Sequence, residues 1–283
     1  MKEFRVLNIK SDLPEKAELE AIAKAYPARE CKFLEQSTLG FRELPGTGGE
    51  IVIQVEGSKF LYAELLRFRR SVPTVVRDRE VRKRIKKLVE SGEVVTKKLR
   101  ATIKDEVMQE LLPKMPQLET VIPLVIDQHD KRIWVGATSD KLAEGVFMLL
   151  RNAGLPLVTE LWCDGGNLPF WLHRWLLNQE PLPESMLLGE KAKLADPIEP
   201  KSTVTISNEE LTDEELQAVA ASRSVLFLEL SSPGMSFLIN FDGAFKNLRF
   251  NPGEQCDDFA HEVAVCLSEI GDVVARLEAA IRQ

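Results

Sequence analysis

Residues 76–100, VRDREVRKRIKKLVESGEVVTKKLR, cannot go into the interior of a folded protein. Each unpaired buried cation would cost on the order of several kcal/mol, so the run must lie at a surface. Its apolar positions say what form it takes there. At about 100° per residue, Val81, Ile85, Leu88 and Val89 gather on one side of a helix, with Arg79, Arg82, Lys83, Lys86 and Lys87 around the other. A helix over 77–91 ends at Ser91-Gly92. A second, over 97–112, carries a Leu99, Ile103, Val107 and Leu111 stripe with Lys97, Lys98, Arg100 and Lys104 nearby, and Pro113 closes it.

The whole chain of 283 residues is acidic, with 37 Lys/Arg against 44 Asp/Glu and a formal charge of −7. Residues 67–104 hold fourteen bases against Asp78, Glu80, Glu90 and Glu93, a local +10 that leaves −17 on the remainder. Because the field of a charge falls off over about 10 Å in 0.1 M salt, net acidity does not exclude a polyanionic partner. A solvated helix face is the ordinary origin of a charge run. The density here favours an anionic partner instead, and the nucleic-acid backbone is the leading one, bound without sequence preference and with steep salt dependence. An anionic membrane is disfavoured, since the helices lack the Trp/Phe-rich face of an interfacial anchor.

With 44% hydrophobic residues the chain can bury a sizeable core, as two compact units or one elongated one. Strand and helix patterns alternate, which predicts an α+β protein. Four segments follow from the pattern. Residues 1–76 form an α+β unit, with a strand at 3–9, a helix begun by Pro14 and strands at 31–41 and 50–66. The basic helical pair occupies 77–116. A second α+β unit over 117–179 has a hairpin of 120–126 and 132–137, a helix at 139–151 and a strand at 155–162. The last segment, 180–283, opens with Pro-rich connecting structure. There, Thr212 with Glu215 is a capping box that starts a helix ending near Ser222. Strands at 224–230, 235–241 and 245–250 lead to a long helix over 255–282, striped by Phe259, Val263, Cys266, Ile270, Val274, Leu277 and Ile281 and long enough to pack along a domain or a second subunit. MKEFRVLNIKSDL has no signal-like apolar run, and no eighteen consecutive apolar residues occur anywhere, so the expected location is cytoplasmic.

Catalytic chemistry has thin support. Metal-dependent phosphodiester hydrolysis needs converging carboxylates. Asp105 and Glu106 point about 100° apart on a helix. Asp127 and Asp130 lie in a hairpin turn, and Asp164 precedes Gly165-Gly166. His129, His173 and His261 are isolated, and Cys31, Cys163, Cys256 and Cys266 form no CxxC pair, so no metal site is expected. No phosphate-cradling GxxxxGK[ST] loop is present, and no nucleotide or other cofactor is expected. NLPFWLHRWLL, with Trp171 and Trp175 one helical turn apart, suits a core or subunit contact better than base stacking.

KKLRATIKDEVMQELLPK (97–114), a hairpin, and then KLAEGVFMLLRNAGLPLV (141–158) together resemble the RdgC family of recombination-associated proteins. The likeness extends to Cys31, to Leu39-Gly40-Phe41, to Val72-Pro73 and to residues 209–250. It implies an α+β protein forming a ring-like homodimer with a basic inner surface, nucleoid-associated, binding single- or double-stranded DNA without sequence preference and antagonising a RecA-type recombinase. On this resemblance the DNA-facing residues are Arg77, Arg79, Arg82, Lys83, Arg84, Lys86, Lys87, Lys97, Lys98, Arg100 and Lys104. Members also carry an exonuclease label, which makes a metal-dependent exodeoxyribonuclease the alternative. Two positions depart from the family pattern. Met115-Pro116 stands where an aromatic follows the LLP turn, and Asn208-Glu209 replaces a Lys-Gln pair, exchanging a cation for an anion.

Overall fold

The computed structural model describes residues 2–55, 60–137, 139–208, 212–251 and 259–282. In chain order the elements are β1 (Arg5–Ile9), α1 (Lys16–Ala25), β2 (Ser37–Arg42), β3 (Val52–Gln54), β4 (Phe60–Arg70), α2 (Thr74–Glu90), α3 (Lys97–Leu111) and, after a 3-10 turn at Leu112–Lys114, β5 (Gln117–Asp127) and β6 (Arg132–Val135). They continue as α4 (Asp140–Asn152), β7 (Thr159–Leu161), α5 (Leu168–Leu176), β8 (Leu187–Ala195), β9 (Thr203–Ser207), α6 (Asp213–Ala220), β10 (Ser224–Ser231), β11 (Met235–Asn240), β12 (Phe245–Phe250) and α7 (Phe259–Ile281). One sheet runs β2-β4-β5-β6-β1-β7 with β3 on β4, the other β12-β11-β10-β8-β9. The ladders β1–β6, β1–β7, β5–β6, β8–β9, β8–β10, β10–β11 and β11–β12 are all antiparallel, so the α+β expectation holds.

The chain divides into two compact units that are each discontinuous in sequence. The first comprises residues 1–22, 43–64 and 123–283, the second 23–42 and 65–122.

A single apolar cluster organises the first unit. Val263, Leu267, Ile270, Val273, Val274, Leu277 and Ile281 of α7 are buried in it with Trp134 of β6, Trp162, Trp175 of α5, and Phe237 and Phe245 of the second sheet. The predicted stripe is therefore largely the buried face of α7, with Leu267 and Val273 added and Phe259 and Cys266 only half-buried. Residues 255–258, with Cys256, lie outside the described residues. Phe4 joins the sheets: its ring stacks on Phe245 at 4.4 Å, and the two exchange backbone hydrogen bonds of 3.0 and 2.9 Å. The Trp162 indole donates to the Gly243 carbonyl at 2.9 Å. Gly243 has φ +75, and a Cβ there would come within 2.7 Å of the Cys163 Sγ, so no other residue fits beside Trp162.

Three expectations need correction. Residues 180–200 are not simple connecting structure, because β8 occupies much of the stretch and pairs with β9 and β10. Its sequence, LLGEKAKLA, has little β-propensity and holds its place by burying Ala192, Leu194 and Ala195. The strand expected over 155–162 is reduced to Thr159–Leu161. The stretch 50–66 is two strands, β3 and β4.

Replacing Ile270, which is fully buried, with Ala should cost about 2–5 kcal/mol. Val265→Ala, on the same helix but 51% exposed, should change stability by no more than about 0.5 kcal/mol. Urea unfolding of the two variants checks the assignment of the α7 face.

Candidate nucleic-acid interface

The second unit carries the positive charge. Residues 23–42 and 65–122 hold nineteen bases and ten acids, a net +9, which leaves −16 on the first unit. Eleven of the bases are on α2 and α3, which pack on one another as a helical hairpin.

Local rules explain the hairpin. α2 begins directly after Pro73, whose carbonyl accepts from Val76 and Arg77 N–H at 3.0 Å. At its other end Gly92 N–H donates to Val89 O (3.0 Å) and Glu93 N–H to Leu88 O (2.9 Å), the paired bonds of a Schellman cap, with Gly92 at φ +85. Thr96 then caps α3 by accepting from Leu99 N–H at 3.2 Å. Neither helix has an acidic residue in its first turn, and α3 starts with Lys97 and Lys98, cations at the positive end of the helix dipole.

Packing within the hairpin is light. Ile103 and Val107 of α3 are buried, whereas α2 buries no residue at all. Of its predicted stripe, Val81, Ile85 and Leu88 are half-buried and Val89 is 58% exposed, because α3 is the main element α2 meets.

The predicted site residues separate into two sets. Arg79, Arg82, Lys83, Lys86, Lys87, Lys97, Lys98, Arg100 and Lys104 are exposed. Arg77 and Arg84, a heptad apart on the flank of the α2 stripe, are half-buried and paired. Arg77 bonds Asp78 at 2.8 Å. Arg84 donates to Glu110 at 2.5 Å and lies 3.9 Å from Glu106 and 3.8 Å from Glu80; the Glu110 hydrogen bond is the main cause that raises its already high pKa. Lys83 and Lys86 have only long contacts, to Glu80 (3.6 Å) and Glu90 (3.8 Å). Among the described residues, Arg79, Arg82, Lys87, Lys97, Lys98, Arg100 and Lys104 make no ion pair.

On the outer side of α2, Arg79, Arg82, Lys83 and Lys86 surround a shallow depression of about 400 Å³ floored by Val75. The sequence had α2 start at 77; its actual start at Thr74 is what adds Val75 to this face. Also unanticipated were Glu106 and Glu110 as partners of Arg84. The available signal was their i, i+4 spacing beside the α3 apolar stripe.

Four of the five carboxylates considered for metal-dependent hydrolysis have other work. Glu106 faces Arg84. Asp164 accepts from Leu161 N–H at 2.9 Å, and Asp130 contacts the His129 ring at 2.8 Å. Asp127 accepts from the N–H groups of His129 (2.9 Å) and Asp130 (3.1 Å), closing the β5–β6 turn. No group of three or more His, Cys, Asp or Glu side chains among the described residues is placed to hold a metal ion. In α5, Trp175 is buried and Trp171 half-buried against the core, while Phe170 is exposed beneath the Arg174 guanidinium at 5.1 Å. No helix among the described residues is long and apolar enough to cross a membrane.

Fold and site together define an α+β protein of antiparallel sheets that carries a solvent-facing cationic hairpin on an otherwise acidic chain. It belongs to the RdgC family: the family model described as "Putative exonuclease, RdgC" matches residues 1–266. The chain is similar to the Recombination-associated protein RdgC of Pseudoalteromonas atlantica, 28% identical over 244 residues, 84% of this chain and 79% of that protein. Similarity to the proteins of the same name from Xanthomonas oryzae pv. oryzae and Xanthomonas axonopodis pv. citri is 27% over 228 residues, 78% of this chain and 74% of each relative.

Burial of Asp127 raises its carboxyl above the ordinary aspartate value, outweighing the two N–H bonds that lower it. The folded state therefore binds the proton more tightly than the unfolded chain. Asp127 costs nothing below the unfolded value of about 3.9 and subtracts stability as pH rises through the folded one. Asp127→Asn keeps the turn acceptor and removes this dependence. Between about pH 4 and pH 7 its urea midpoint should rise relative to that of the unmodified protein. A pH-independent difference would assign Asp127 an unperturbed titration.

Proposed function

We propose that this protein binds DNA without sequence preference through the exposed cations of α2 and α3. The observation that carries the reading is the set of seven unpaired cations on two adjacent helices in a unit of net charge +9. Arg79, Arg82, Lys83, Lys86 and Lys87 on α2, with Lys97, Lys98, Arg100 and Lys104 on α3, meet phosphates. Each neutralised phosphate releases condensed counterions, which supplies affinity with little regard to base identity. Arg77 and Arg84 stay with their carboxylates, and Arg84 also ties α2 to α3.

The protein acts as a ring-like or clamp-like homodimer that occupies DNA in the nucleoid and so modulates RecA-type recombination. Support comes from family membership and from relatives named for recombination. Closure around DNA would lengthen residence beyond what individual phosphate contacts supply. The exonuclease reading is favoured by the wording of the family description alone.

Replacing Arg79, Arg82, Lys83 and Lys86 together with Gln should weaken binding to unrelated duplexes alike, and should flatten the dependence of log K on log salt by about one for each phosphate that is no longer neutralised. Unchanged affinity and slope would remove this face from the interface. Labelled DNA should shift without shortening in Mg²⁺, Mn²⁺ or EDTA, whereas metal-dependent shortening would establish the nuclease. Retention on closed circles with escape from linear ends would distinguish encirclement from a surface patch.

A further inference from the structure

Arg84 differs in kind from the cations around it. Its side chain is 25% exposed, and its guanidinium donates to Glu110 of α3 at 2.5 Å, with Glu106 of α3 at 3.9 Å and Glu80 of its own helix at 3.8 Å. To touch a phosphate it would have to leave the Glu110 hydrogen bond. The helix it belongs to has little else to hold it: seventeen residues, none buried, with Val81, Ile85 and Leu88 half-covered and Val75 and Val89 70% and 58% exposed. Of the described ion pairs, those from Arg84 to Glu106 and Glu110 join α2 to α3.

We propose that Arg84 is a positioning residue, a latch that fixes α2 on α3 so that Arg79, Arg82, Lys83 and Lys86 are presented as a rigid row. The proposal rests on the reading that this row grips phosphodiesters. A row along one helix side has fixed spacing only while the helix stays docked. If α2 frays from α3, part of the binding energy goes into ordering it, and apparent affinity falls with the docked fraction. Glu110 bonds one terminal nitrogen of the guanidinium, while Glu106, a turn earlier on α3, lies 3.9 Å from the other, a two-nitrogen arrangement that a lysine, with its single charged point, would not reproduce.

The test uses the full chain, a labelled duplex of arbitrary sequence over a range of KCl concentrations, and amide hydrogen exchange without DNA. Arg84→Met should weaken binding about three- to tenfold at every salt concentration with the slope unchanged, and should speed exchange across residues 74–90 while sparing α7. Arg82→Met, which takes away a cation that meets a phosphate directly, should instead lower the slope by about one. Glu106→Ala/Glu110→Ala is the sharper variant. It removes negative charge next to the interface, so an account based on field alone has it tighten binding, whereas the latch has it weaken binding and speed the same exchange. The swap Arg84→Glu/Glu110→Arg should restore both measurements.

A drop in slope for Arg84→Met, tighter binding by the Glu106/Glu110 variant, or unchanged exchange in either would overturn the latch. If the four-residue outer-face variant binds DNA like the unmodified protein, the phosphate reading fails by itself, and the exchange measurements still judge whether Arg84 holds α2.

Discussion

Repulsion between like charges is the constraint under which the second unit folds. Along α2 the pairs Arg79–Arg82, Arg79–Lys83, Arg82–Lys86, Lys83–Lys86 and Lys83–Lys87 each set two cations a turn apart, at about 0.2–0.5 kcal/mol apiece against the helix. Burial does not offset this, since no α2 side chain is buried. What offsets it is local: the Schellman cap at Gly92, the pairs from Glu80 and Glu90, three half-covered apolar side chains, and Arg84 bridging to α3. A helix so placed carries uncompensated repulsion, which an anion lying along it would relieve. The same cations limit the hairpin's own stability and, on the proposed function, would favour its occupation.

Much of this was legible in the chain because it depends on near neighbours. The 3.6-residue period gave both basic helices, Ser91-Gly92 gave the break between them, and Thr212 with Glu215 gave the start of α6, where both bonds of the capping box form. What was not legible depends on partners distant in sequence. β8 is a strand because β9 and β10 flank it, although Glu, Lys and Ala dominate it. The charge count over 67–104 stopped one residue before Asp105, so Glu106 and Glu110, which the fold returns to Arg84, fell outside it. Over Thr74–Leu111 the balance is eleven bases to seven acids. The hairpin is thus less cationic in sum than the linear window suggests, and its positive charge concentrates where the acids do not reach.

The carboxylates make the complementary point. Asp127, Asp130 and Asp164 occur where chains turn, and each is engaged by the backbone or a neighbour in doing so. Asp in a turn serves its own peptide groups, and two such turns do not make a metal centre unless the fold aims spare oxygens at one point. The buried Arg5, held by Asp140 and Asp242 at 2.7 Å each, and Arg132, bonded to Glu278 of α7, likewise spend charge on structure. In the first unit, then, buried arginines are paired where elements meet. On α2 and α3, by contrast, seven of the eleven bases make no ion pair among the described residues and face solvent.

That difference gives the acidic remainder a role in the proposed binding. A polyanion meeting this chain encounters +9 on one unit and −16 on the other, so the first unit opposes nonspecific adsorption while the hairpin attracts. Were the two balances averaged over the surface, the chain would repel DNA everywhere. Because eleven of the second unit's nineteen bases are set on two helices too lightly packed to hide them, attraction would be confined to one region, and overall acidity would sharpen the contrast that orients the protein on the proposed partner.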